Sequence, residues 1–242
     1  AKSFVRLAEP LGKEMAAKIL TPLVLQLCKD ETAEVRNYVV SNVDLIADAV
    51  GPAGLQNSVL PALLELCKDS KWRVRLAVVG KCAMLAKHLG VKVFEKKLQP
   101  VIVTALSDHV YSIREKCCQQ IGEIVALFGK KWAAEKFFPV TFAIYDKTTN
   151  YLHRMTCLLV VQACAQACAP DVTEANLFPL IVQACTDDVP NVRLMAAKTC
   201  KVVLKYLEPA TIAKIKPALE KMTKDTDDDV AFFSCDALKL IK

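Results

Sequence analysis

Apolar residues recur along this chain with the period of a helix buried on one face, in register with evenly spaced prolines. Pro22, Pro61, Pro100, Pro139, Pro179 and Pro217 lie 39, 39, 39, 40 and 38 residues apart, and two positions before them stand Leu20, Val59, Leu98, Phe137, Leu177 and Ile215. An arginine follows fourteen or fifteen residues later in five of the units: Arg36, Arg75, Arg114, Arg154 and Arg193, with Ala231 in the sixth. Eight residues after the proline stands an aspartate, Asp30, Asp69, Asp108, Asp187 or Asp225, with Lys147 as the exception. Counting +3, +4, +7 and +10 from each arginine gives Val39-Val40-Val43-Ile46, Val78-Val79-Cys82-Leu85, Cys117-Cys118-Ile121-Ile124, Cys157-Leu158-Val161-Cys164 and Ala196-Ala197-Cys200-Val203. Each set is one apolar stripe on a helix.

A period near 39 residues marks a repeat array, and each unit reads as a helical hairpin. A first helix carries the proline, a short polar turn the aspartate, and a second helix the arginine. Neither helix covers its own apolar face, so hairpins must stack on their neighbours. The fold expected is an all-α, right-handed solenoid of six repeats, 13–51, 52–90, 91–129, 130–169, 170–207 and 208–242, after a partial repeat at 1–12. A second helix over Ser3 to Leu11 at the start suggests a fragment of a longer array. A proline inside each first helix removes a donor and pushes on the carbonyl four residues back, which predicts a recurring bend. Gly51, Gly90 and Gly129, fifteen residues after their arginines, fit left-handed helix ends.

Composition narrows the function. The 242 residues are 53% apolar and 24% charged, with only 7 glycines and 11 prolines, which argues against a disordered tail or a linker. Gln162 and Gln166 interrupt the richest apolar stretch, Leu158 to Cys168, short of a membrane span, and no leader stands at the start. Eleven cysteines, an odd number without a Cys-x-x-Cys pair and with only three histidines, read as reduced core filler inside the cell. Cys164 and Cys168 share a helix face and could approach a metal, but no histidine joins them. The net charge of +6 permits a nucleic-acid surface without requiring one.

Catalysis finds no support: His88, His109 and His153 stand beside no nucleophile or carboxylate arranged for it, and no Gly-rich phosphate loop is present. The arginine series could meet phosphates, or pair with the equally periodic aspartates and fix unit-to-unit orientation. Three residues before the arginines stand Ala33, Trp72, Tyr111, Tyr151 and Pro190, with Asp228 at that place in the last unit. Three successive units thus put a large ring in the same turn, flanked by Lys71, Arg73, His109, Asn150, His153 and Asn191. Such a row is either a ridge of anchors for another polypeptide or a set of rings folded over their own second helices.

The segments Lys71-Trp72-Arg73-Val74-Arg75-Leu76-Ala77, Asp108-His109-Val110-Tyr111-Ser112-Ile113-Arg114-Glu115 and Asn150-Tyr151-Leu152-His153-Arg154-Met155-Thr156 resemble successive turns of the scaffold (A) subunits of protein phosphatase 2A, a HEAT-repeat family. Asp30 to Asn42, Leu60 to Leu66 and Phe128 to Trp132 extend the resemblance, whose register is that of the family's last six repeats and part of the one before. The resemblance implies a non-enzymatic scaffold without cofactor or metal, in the cytoplasm and also the nucleus. It implies that the intra-repeat turns bind the phosphatase catalytic subunit, while regulatory B-type subunits bind the amino-terminal repeats of the full-length protein; nucleic acid and membrane are not partners. Carried over by position, the contact residues are Trp72, Arg73, His109, Tyr111, Asn150, Tyr151, His153 and Asn191. Lys147 and Ala231 depart from the pattern. A transport-receptor-like solenoid carrying cargo on its inner helices is the alternative.

Overall fold

A computed structural model describes residues 8–168 and 170–241, apart from most side chains before Thr21. These residues form helices joined by short turns, with no strand among them. In chain order they are α1 (Ala8–Leu27), α2 (33–50), α3 (52–66), α4 (72–89), α5 (91–105), α6 (Tyr111–Phe128), α7 (130–147), α8 (Tyr151–Ala165), α9 (170–184), α10 (Pro190–Val203), α11 (Pro209–Met222) and α12 (Asp228–Leu238). Odd helices carry the periodic prolines, and the even helices up to α10 carry the arginines. The expected helix over Ser3 to Leu11 falls mostly outside the described residues, and its last positions belong to α1. The chain divides into two compact units, one through Gln120 and one from Ile121.

Every position of the five apolar stripes is buried; Cys118, at 4% exposure, is the least enclosed of them. Within the first unit α2 packs on α4; within the second, α8 packs on α10 and α10 on α12. Gly122 sits where α6 meets α8 so closely that a Cβ there would lie 2.7 Å from the Ala163 carbonyl oxygen. Cysteines serve as the core filler: burial pushes the thiols of Cys28 and Cys168 up to about 11 and that of Cys157 up to about 12. Two depart from that role: Cys67 lies half-buried in a surface groove, and Cys235 on α12 is exposed.

Four of the six periodic prolines are accommodated by a widened turn ahead of them, where a bend inside each first helix was expected. In α3, α5, α7 and α9 a wide π-helical turn, Leu55–Val59, Phe94–Leu98, Ala133–Phe137 and Thr173–Leu177, immediately precedes the proline segment. Pro61, Pro100, Pro139 and Pro179 then open a fresh α-helical segment, where an amide donor is not required. Pro22 and Pro217 instead lie inside α1 and α11 without such a turn. The second helices also depart from a simple rod, since α2 breaks at Asn42 and α4 at Gly80–Lys81. The break in α4 frees the Ala83 amide, which donates to Gln120 Oε1 at 3.0 Å.

Gly51, Gly90 and Gly129 take φ of 69°, 77° and 90°, as their spacing suggested, but with ψ of 175°, 169° and 158°. That is the extended positive-φ region, essentially closed to other residues, not the left-handed helical one expected. It swings the chain out of a second helix into the next first helix. A Cβ on any of the three would meet nothing within 4 Å, so the requirement is conformational, not steric. At the last corner Glu208, extended at φ −71° and ψ 151° before Pro209, achieves the turn without glycine.

Four of the five periodic arginines reach the aspartate of the next turn. Arg36 clamps Asp69 with Nε and Nη2 donating at 2.7 and 3.0 Å, Arg75 clamps Asp108 at 2.9 and 3.0 Å, Arg154 clamps Asp187 at 2.8 and 3.0 Å, and Arg193 clamps Asp225 at 2.7 and 2.8 Å. The aspartate of the arginine's own turn offers its backbone carbonyl instead, as in Arg75 Nη1 to Asp69 O at 2.8 Å and Arg193 Nη1 to Asp187 O at 2.8 Å. Each clamped carboxylate also accepts the amide two residues on, for example Lys71 N to Asp69 Oδ1 at 2.8 Å. With side-chain exposures of 6–16%, these rungs are largely withdrawn from solvent, and the bidentate pairing occupies guanidinium donors that a phosphate would need.

Three outcomes follow for stability. Burial alone would raise the carboxyls of Asp69, Asp108 and Asp187, but their arginines and backbone amides hold them below the ordinary range; for Asp225 the bond from Arg193 is the leading cause. A carboxyl lowered on folding stabilises above its unfolded pKa, and that contribution is lost as pH falls through the folded value. Urea midpoints should therefore be flat above about pH 5 and decline below about pH 4. Arg75→Leu, which strands Asp108, should cost about 3 kcal/mol at neutral pH, and a neutral-pH midpoint equal to wild type would contradict this role for the rungs. Gly90→Ala should cost roughly 1–3 kcal/mol from backbone strain alone, measured by the same denaturation.

Candidate functional site

The turns place the sequence-predicted residues at the starts of the even helices. Lys71 is the extended residue before α4, so Trp72 and Arg73 open that helix at the rim of the turn. Trp72 is half-buried, and the Arg73 guanidinium lies 4.6 Å from its ring centre. The ring borders an open groove of about 510 Å³ between the first two turns. Glu31 and Glu34 line one wall, and Lys71 and Arg73 the other. Sequence reading missed the acidic wall, because Glu31 and Glu34 flank a repeat position that holds only Ala33.

The next turn is more open. Tyr111, 53% exposed, begins α6; its hydroxyl donates to Glu115 Oε1 at 3.2 Å, and the Arg114 guanidinium sits 5.6 Å from its ring. Partial burial first, and then the Glu115 carboxylate, raise this phenol above its ordinary range. The imidazole of His109 is 82% exposed, with Nδ1 3.5 Å from Asp108 Oδ1. The two readings of the rings thus divide: Trp72 and Tyr111 each hold a basic partner from their own helix, and Tyr111 still presents most of its ring to solvent.

In the second unit, Asn150, Tyr151 and His153 come together in one turn. Lys147 stands where other turns have aspartate, and Thr148 takes over the aspartate's local task, its Oγ1 accepting the Asn150 amide at 3.1 Å. Asn150 Oδ1 caps α8 by accepting the Leu152 amide at 3.0 Å. His153 is held between Thr148 Oγ1, 3.3 Å from Nδ1, and Asn150 Nδ2, 3.4 Å from Nε2. Asn150 and His153 therefore serve the turn itself. Tyr151 remains 37% exposed at its rim. Asn191 is exposed in the following turn beside Pro190, which fills the aromatic position there. The arrangement offers rings, guanidinium and carboxylate groups to another surface. Among the described residues, no cluster of histidine, cysteine and acidic side chains could hold a metal ion, and no helix is long and apolar enough to cross a membrane.

Comparison with known proteins agrees with helical repeats. Residues 177–207, from the end of the π-helical turn in α9 into α10, match the HEAT repeat model. The chain is 30% identical over 119 residues to the A-type regulatory subunit of protein phosphatase PP2A from Saccharomyces cerevisiae, a stretch covering 46% of this chain and 19% of that protein. It is 43% identical over 53 residues to the 65 kDa regulatory subunit of the serine/threonine-protein phosphatase PP2A from Drosophila melanogaster, covering 22% of this chain and 9% of that protein. The matched stretches are thus less than a fifth of either relative's length. Similar solved structures include a designed armadillo repeat protein (17% identity, 91% of this chain and 99% of that one, TM-score 0.45) and an engineered protein (13% identity, 92% and 98%, TM-score 0.49). Residues 11–135, just over half of the chain, match the family model described as "PIK3R4-like, middle domain", and the chain belongs to that family.

Proposed function

We propose that this chain is a non-catalytic scaffold that holds the catalytic subunit of protein phosphatase 2A against the turns of its hairpins. The observation that carries the reading is the Trp72 groove, where a large ring lies between an acidic and a basic wall in a turn whose backbone the Arg–Asp rungs fix. A rigid rim with a half-buried ring and charges of both signs beside it is what a polypeptide anchor requires. His109 and Tyr111 extend this surface in the first unit, and Tyr151 with Asn191 offers a second in the other. Asn150 and His153 act through the shape of their turn. The names of the yeast and fly relatives, both regulatory subunits of this phosphatase, support the choice of partner. In the same reading, B-type regulatory subunits join through further repeats of the assembled protein, and the complex works in the cytoplasm and nucleus.

Trp72→Ala should weaken binding of the purified catalytic subunit by about 2 kcal/mol, measured by titration calorimetry, while leaving the urea midpoint nearly unchanged. Equal affinities for wild type and variant would remove Trp72 from the interface. Charge reversal at an exposed second-helix position such as Lys87 should leave this affinity intact. Binding lost there, with Trp72 indifferent, would favour a cargo-carrying solenoid instead.

A further inference from the structure

A second surface lies on the odd helices. Between α3 and α5 runs a trough of about 500 Å³, bordered on one side by Gln56, Asn57 and Pro61 and on the other by Lys92, Lys96 and Lys97. Leu64 lines both this trough and a hollow of about 220 Å³, so the two adjoin at its side chain. The hollow is floored by Cys67, Val101, Ala105 and Ile113, and the Arg75–Asp108 rung closes its turn end. That rung is a matched pair and adds no net charge.

From this geometry we infer that the trough docks an acidic peptide segment of a partner protein, with one large apolar side chain of that segment entering the hollow. The charge around the opening is basic. Lys92, Lys96 and Lys97 are exposed on one rim, and Lys68 is 78% exposed at the hollow's edge. The acids nearby are fewer: Glu65 stands 3.7 Å from Lys68 as an exposed neighbour on the same helix, and Glu95 is half-buried on α5. A positive rim over an apolar floor favours a ligand with the opposite charge and an apolar anchor. The shape selects a side chain over a bilayer, because the apolar surface is recessed between two helices. No aromatic ring lines either cavity, so nucleobases find nothing to stack on. The thiol at the floor holds nothing covalently: burial is the main reason that Cys67 is pushed up to about 12.

The origin of the trough is local. Pro61 and Pro100 both open α-helical segments beside it, and their short rings leave space that longer side chains would fill. Thr104, the residue one helical turn beyond Pro100, also lines the hollow, with its Oγ1 donating back to the Pro100 carbonyl at 2.9 Å. This surface is separate from the Trp72 groove, and its failure would leave the phosphatase reading untouched.

The test is a fluorescence-anisotropy titration of the full chain with a labelled peptide, Glu-Asp-Glu-Leu-Phe-Glu-Asp-Glu. Saturable binding is expected, weakened by about tenfold or more in a Lys96→Glu, Lys97→Glu double variant whose melting curve matches wild type. Replacing Leu-Phe in the probe by Ser-Ser should cost a similar factor. Absence of binding, or binding indifferent to the two lysines, would overturn the inference. Equal affinity for the Ser-Ser probe would overturn the apolar anchor. Phosphatidylserine vesicles or a single-stranded oligonucleotide binding more tightly than the peptide, with the same lysine dependence, would assign the trough to a different partner class and likewise overturn it.

Discussion

The interaction on which the rest of this structure depends is the clamp between an arginine and the aspartate of the following turn. A stack of hairpins held only by apolar contact has little to define how far each hairpin rotates on its neighbour, since dispersion and burial are not directional. A bidentate guanidinium–carboxylate pair is directional. Here the aspartate also accepts an amide of its own turn, so the position of the carboxylate and the conformation of the turn are fixed together. The same guanidinium donates to a carbonyl of its own turn. One side chain therefore ties two successive turns to each other, and whatever those turns display inherits that spacing.

How much of this could be read from sequence depends on whether a feature repeats. The stripes beginning at Val39, Val78, Cys117, Cys157 and Ala196 were legible because a solenoid uses the same buried positions in every unit, and all of them are buried. The pairing of arginine with aspartate was legible as a matched periodicity. Its direction was not: Asp69 lies closer in sequence to Arg75 than to Arg36, yet it is Arg36 that holds the carboxylate. The corners at Gly51, Gly90 and Gly129 were visible as positions needing positive φ, whereas the extended ψ depends on the next helix leaving at an angle that no local residue encodes. The π-helical turns were hidden for a related reason, since proline advertises a missing donor and not the means of accommodating it.

The site was less legible than the fold. Trp72, Tyr111 and Tyr151 stood out because large rings are unusual at turn positions, and they lie at the rims of their turns. Asn150 and His153 stood beside them in sequence and looked alike as surface groups, but the fourth turn has Lys147 in place of aspartate and uses both residues, with Thr148, to hold itself together. A polar residue in a turn has two possible employers, the turn and the solvent side. The first is visible only when the hydrogen-bond donors of the backbone have been accounted for.

The two surfaces of this chain draw on opposite halves of the hairpin for one physical reason. Second helices commit their stripes, below 5% exposure, to stacking, and the rings Trp72, Tyr111 and Tyr151 stand at their starts, beside the turns. First helices carry the prolines, and beside each of Pro61 and Pro100 a short ring replaces a longer side chain and the helix widens by a π-helical turn. The contact between α3 and α5 is thereby left unfilled at Leu64 and Val101. The proline period that marks the chain as a repeat thus also leaves an opening between α3 and α5. Lysines rim that opening in the second and third repeats, whereas the turns a few residues away present rings and charges of both signs. Binding chemistry in this architecture arises where the stacking pattern cannot close on itself, at the turns and beside the prolines.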